Sequence, residues 1–178
     1  SSKERLEESS ERSERSIERI DREHERSSEE SERRLKKMVD DLRRSSEKSK
    51  DDLEKLKREG KVREDLEREL REVNKELERL ARELAEKLRK VNKDSKESVR
   101  ELEERLRDAN RRLEELLRRN VDTDELVERH KRVVEEIEER AERNLRRHKK
   151  VVEDILREAR KVLEDHKELV ERLKERVE

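Results

Sequence analysis

Three kinds of polar residue recur every 18 positions, each in its own segment of the chain. Asn74, Asn92 and Asn110 form one series and His130, His148 and His166 a second. The serine groups Ser9/Ser10/Ser13, Ser27/Ser28/Ser31 and Ser45/Ser46/Ser49 form a third. Eighteen residues make five turns of straight α-helix, about 27 Å of rise, so each series returns to one face of its own helix. The series also mirror one another. Ser10 and Asn110 are equidistant from Gly60, as are Ser28 and Asn92, and Ser46 and Asn74. Asn110 and His130, Asn92 and His148, and Asn74 and His166 are equidistant from Asn120. A chain that reverses near residues 60 and 120 therefore brings Ser, Asn and His level in three layers.

The apolar residues support those reversals. Leu6, Ile17, Ile20, Leu35, Met38, Leu42, Leu53 and Leu56 draw one narrow helical stripe whose gaps the serines occupy. The only glycine, Gly60, comes where that stripe stops, as expected just past a helix C-terminus. A second stripe runs from Leu66 to Leu116, through Val73, Leu77, Leu80, Leu84, Leu88, Val91, Val99, Leu102, Leu106 and Leu113. Asn120 closes it, Asp122 and Glu125 read as a capping box, and Val121 can staple to Leu126. A third stripe includes Val133, Val134, Ile137, Ala141, Leu145, Val151, Val152, Ile155, Ala159, Leu163, Leu169, Val170 and Leu173, and its residues 130–147 and 148–165 repeat each other.

The pattern predicts an all-α fold: an up-down-up bundle of three antiparallel helices, each about 55 residues long. The expected elements are helix 2–59, turn 60–63, helix 64–119, turn 120–122 and helix 123–177, forming one domain over 1–178. A period of 18 over five turns is 3.6 residues per turn, so the helices should be nearly straight and barely supercoiled. The first helix carries the thinnest apolar stripe and is the one most easily detached.

Composition excludes several functions. With no Phe, Tyr, Trp, Cys or Pro, one Gly and 60% charged residues, the chain has the makeup of long helix or coiled coil. Its 53 basic and 54 acidic residues are interspersed, leaving no basic stripe for a nucleic-acid backbone and no aromatic platform for bases. No apolar run approaches the roughly 20 residues that span a bilayer, and Ser1-Ser2-Lys3-Glu4 does not read as a signal peptide. The expectation is a soluble chain with no membrane, nucleic-acid or small-molecule partner and no natural localisation signal.

The layers invite three chemical readings. A zinc site needs several ligands converging within a few ångströms, whereas these histidines lie about 27 Å apart along one helix. Ser and His together suggest nucleophilic catalysis, but the strained nucleophile turn and glycine-built oxyanion hole are missing. Neither a metal, a cofactor nor an enzymatic activity is expected. The third reading is structural: neutral His donates through one ring nitrogen and accepts through the other, the Asn amide does both, and Ser hydroxyls fill what remains. Only one register satisfies every layer, because an unpaired buried polar group costs about 1 to 3 kcal/mol. A fourth layer breaks the repeat. His24, Ser95/Ser98 and Asn144 stand where neighbouring repeats carry leucine or valine, and the two mirror relations bring them level. This permuted layer penalises a slip by one repeat.

Taken together, the 18-residue layers, the core of Leu, Val, Ile and Ala, the Glu/Lys/Arg surface and the Asn120-Val121-Asp122 turn resemble de novo designed helical bundles with modular buried hydrogen-bond networks. The resemblance spans the whole chain. Within that class the His layers look similar to pH-responsive bundles, and the polar first helix to the releasable latch of designed switches. The resemblance implies assembly or switching: a structural protein whose layers set register and confer pH-dependent disassembly. The alternative is a helix-binding module in which the first helix is displaced or a larger homo- or hetero-oligomeric bundle forms. The sequence slightly favours a monomer and leaves a homo-oligomer or a partner helix open.

Overall fold

A computed structural model describes residues 2–119 and 123–176. Three α-helices account for nearly all of them: α1 (Ser2–Arg58), α2 (Glu64–Arg118) and α3 (Thr123–Glu175). Helix α1 ends in a Schellman motif. Gly60 takes the left-handed conformation, with φ of 68°; its N–H donates to the Lys57 carbonyl (3.0 Å), and the Lys61 N–H donates to that of Leu56 (3.1 Å). The only glycine thus satisfies two carbonyls that the helix end would leave bare. At the start of α2 the Arg63 carbonyl accepts the first helical bond, from the Glu67 N–H (3.1 Å), and Asp65 Oδ1 accepts from the Leu66 N–H (3.0 Å). Acidic Glu64, Asp65 and Glu67 fill its first turn and complement the positive end of the helix dipole. The expected Asn120 terminus, Asp122 capping box, Val121 staple and Val177 lie outside the described residues.

The contacts gather into two compact units, Ser1–Glu29 with Val91–Lys150 and Glu30–Lys90 with Val151–Glu178. Each contains a portion of all three helices. In the first unit, Ser9 meets Asn110 and His130 at one level, and Ser27 meets Asn92 and His148 at another. Numbers rise along α1 and α3 while they fall along α2. The bundle is therefore up-down-up, as the mirror relations require.

Polar and apolar levels alternate. In the first unit one apolar cluster comprises Leu6, Leu113, Leu126 and Val127, and another joins Ile20, Val99, Leu102, Leu106, Val134, Ile137 and Ala141. In the second unit Leu53, Leu66, Leu70, Val170 and Leu173 pack together, with Val62 and Val73 against them. Among the described residues α1 buries five apolar side chains (Leu6, Ile20, Leu35, Leu42, Leu53) but six serines (Ser13, Ser16, Ser27, Ser31, Ser46, Ser49). A buried leucine is worth about 1.5 to 3 kcal/mol and a net hydrogen bond about 1, so α1 is the most weakly held helix.

The structure corrects the third stripe. Val133 and Leu169 are exposed (37% and 44%), whereas Leu156 and Val127, which were not assigned to it, are buried. Adjacent positions diverge by about 100° around a helix, so in Val133/Val134 and Leu169/Val170 the second residue takes the core place. No helix among the described residues is long and apolar enough to cross a membrane.

Candidate functional site

Two of the three regular layers share a full bond pattern, and the remaining one shares its His bonds. Ser9, Ser27 and Ser45 each donate from Oγ to Nδ1 of a histidine 121 residues later: His130 (2.5 Å), His148 (3.1 Å) and His166 (2.9 Å). The opposite ring nitrogen, Nε2, donates to an asparagine Oδ1: Asn110 (2.7 Å), Asn92 (2.7 Å) and Asn74 (2.9 Å). With Oδ1 turned toward the ring and able only to accept, Nε2 carries the proton and Nδ1 is left to accept from serine. One tautomer fits all three layers.

The remaining serines enter differently from the side-chain roles expected of them. Ser13 Oγ lies within 2.7 Å of both Asn110 Oδ1 and the Ser10 carbonyl. Ser49 Oγ lies 2.7 Å from Asn74 Oδ1 and 2.8 Å from the Ser46 carbonyl. Each hydroxyl proton is thus shared between an asparagine and its own helix backbone, a common use of serine inside a helix. Ser10 and Ser46 therefore join through their carbonyls, and the buried Ser46 hydroxyl has no hydrogen-bond partner. Ser28 is half-buried beside Ser27, and Ser31 is buried within the second unit.

The permuted layer is held by two bonds. Ser95 Oγ donates to His24 Nδ1 (3.0 Å), and Asn144 Nδ2 donates to Ser98 Oγ (2.6 Å). The His24 ring also packs on His148, centroid to centroid 5.8 Å at 56°. The fourth layer is therefore joined to the layer of His148. His24 and His148 are 124 residues apart, whereas level partners on α1 and α3 are 121 apart, an offset of about one helical turn.

Burial pushes all four imidazoles below the ordinary histidine value of 6.5. For His130 and His166 burial is the whole cause. His148 is lowered further by the charge of His24 and by Lys149. At His24 burial dominates, Asp21 and Glu25 oppose it, and Lys96 adds to it. Two buried rings in contact titrate as a pair, since charging one penalises charging the other.

Two polar groups at these levels carried no sequence signal strong enough to be singled out. Ser16 is buried and donates to Glu138 Oε1 (2.5 Å). Glu103 is 8% exposed and its carboxyl is pushed up to about 7, first by burial and then by Asp21 facing it. The 18-residue lattice held a clue: Asp21 precedes Val39, and Glu103 follows Ala85, by one repeat.

The layers offer hydrogen bonds that fix level and partner, and proton acceptors shielded from water. No group of three or more His, Cys, Asp or Glu among the described residues is placed to hold a metal ion. Comparisons with protein-family models, curated proteins and solved structures find no match to this chain.

Proposed function

We propose that this chain is a structural, self-assembling protein of the designed-bundle kind, without enzymatic activity, whose Ser/Asn/His layers set helix register and make its assembly pH-dependent. One observation carries the reading: the same Ser Oγ to Nδ1 and Nε2 to Asn Oδ1 chain recurs three times at 18-residue intervals. A slip of one repeat would set His24, Ser95, Ser98 and Asn144 against apolar levels, leaving buried polar groups unpaired at about 1 to 3 kcal/mol each.

The pH dependence follows from the lowered histidines. Folded imidazoles resist protonation while unfolded ones take it up near 6.5, so the unfolded chain binds more protons at mildly acidic pH. Their stabilisation is complete above that value and is lost as pH falls through and below it. Measuring molecular mass and the urea midpoint at pH 7.5 and again at pH 4.5 tests both parts. A lower midpoint at pH 4.5 supports the reading, and an unchanged midpoint with unchanged mass removes the switch.

A second reading, as a module that accepts an added amphipathic helix, draws on one feature of the second unit. A cavity of about 730 Å³ opens between α2 and α3, bordered by Val73, Leu80, Val162 and the exposed Leu169. Light scattering with added helical peptides distinguishes the two: a mass that ignores the peptide leaves the structural reading standing alone.

A further inference from the structure

Glu103 of α2 is enclosed in the first unit beside an apolar cluster, its neighbours Leu102 and Leu106 packing with Ile20, Val134, Ile137 and Ala141. Its Oε1 is fully buried and meets no hydrogen-bond donor. Arg107 lies on the other oxygen, 3.8 Å from Oε2, too far for a hydrogen bond and more than half exposed. The group facing Glu103 across the helix interface is Asp21 of α1, a second carboxyl and an acceptor like the first. Two carboxylates cannot satisfy each other. A single proton between them can, giving the buried oxygen a hydrogen bond to make and the Asp21 carboxylate one to accept.

We propose that Glu103 and Asp21 share one proton, forming a proton-binding site distinct from the histidine layers and opposite to them in sign. The surrounding charges are few. On α2, Arg107 and Arg100 favour ionised Glu103, and they are outweighed by burial and Asp21. On α1, His24 stands one turn beyond Asp21 and feels its charge. On α3, Glu138 is engaged by Ser16, with Arg12 and Arg19 within 4.0 Å, and Glu142 lines a crevice with His24 and Ser95.

The raised Glu103 value, about 7 against 4.5 for the free group, fixes the direction. Between those values the folded chain holds a proton that the unfolded chain has released. Stability from this site is therefore full below pH 4.5 and is lost as pH rises through 7. The histidines lose theirs in the other direction. Between about pH 4.5 and 6.5 the two dependences oppose each other, so the carboxyl pair offsets part of the first unit's acid loss. This inference does not need the histidine layers to act as a switch.

The direct test is ¹³C NMR of the side-chain carboxyls of the whole chain through a pH titration. One glutamate carboxyl should titrate near 7, vanish from the spectrum in Glu103→Gln, and move down toward the ordinary range in Asp21→Asn. The urea midpoint of Glu103→Gln should rise more at pH 8.5 than at pH 5. Titration of every carboxyl below about pH 5.5, the ordinary range, would overturn the proposal. So would a Glu103 titration unmoved by Asp21→Asn, or an equal midpoint change at both pH values.

Discussion

The two units are one lattice written in two vocabularies. Moving by one 18-residue repeat within each helix turns first-unit polar residues into apolar ones of the second: His24 into Leu42, Ser95 into Leu77, Ser98 into Leu80, Asn144 into Val162 and Glu138 into Leu156. Asp21 and Glu103 likewise become Val39 and Ala85. In the second unit Leu42, Leu77 and Leu156 are buried to 3% exposure or less, while the first unit uses those places for hydrogen bonds and titrating groups. Three of the four histidines and the Asp21/Glu103 pair fall in the first unit. The difference separates two uses of one backbone: at these places the second unit packs leucine, and the first unit places hydrogen-bonding and titratable side chains.

The largest effect should come from the apolar places that both units share. Leu106→Ala in the first unit and Leu88→Ala, its counterpart one repeat away in the second, each empty a fully buried site and should cost about 2 to 5 kcal/mol by urea unfolding. Hydrogen exchange should rise chiefly in the unit that carries the change. Uniform loss of protection along the whole chain would mean that the units unfold as one. Next in size is acid. Between pH 7.5 and 4.5, in a Glu103→Gln chain that lacks the opposing carboxyl, amide exchange should accelerate more in the first unit, which has three buried imidazoles to charge, than in the second, whose one buried imidazole is His166.

Rewriting the first vocabulary into the second sharpens the contrast. The triple change His24→Leu, Ser95→Leu and Asn144→Val should raise the urea midpoint at pH 4.5 more than at pH 7.5, because it removes one buried histidine and relieves its neighbour His148. Removing a single partner acts oppositely. Asn110→Ala leaves the His130 Nε2–H without its acceptor and should cost about 1 to 3 kcal/mol at pH 7.5. The smallest effect belongs to the turn: Gly60→Ala meets no atom within 4 Å, so only the left-handed backbone opposes it, at about 1 kcal/mol.

Periodicity made the helices, both reversals and the three regular layers legible, because a series that returns every 18 residues keeps to one face of its helix and the mirror relations bring the series level. The His–Asn partners follow the mirror relations pair by pair, whereas the serines that bond asparagine, Ser13 and Ser49, stand three residues past the mirror positions Ser10 and Ser46. What escaped lay where the repeat changes chemistry. Leu156 is hidden because its counterpart is Glu138, and Glu103 because a carboxylate among charged neighbours looks like solvated surface until its depth is known. Val127 continues the Leu145/Leu163 series and was readable. The His24/His148 contact was not, since it joins two layers across a one-turn offset that level-by-level matching ignores. The carbonyl roles of Ser10 and Ser46 depend on side-chain rotation, which the sequence does not encode.

Neutral histidines locked in hydrogen-bond chains are what the layers require, and ¹⁵N NMR of the imidazole nitrogens measures that state directly. At pH 7.5 His130, His148 and His166 should each show a single fixed tautomer, protonated on Nε2 and bare on Nδ1, and each should titrate below 6.5. Rings that average rapidly between tautomers and titrate at the value of a free histidine would contradict it.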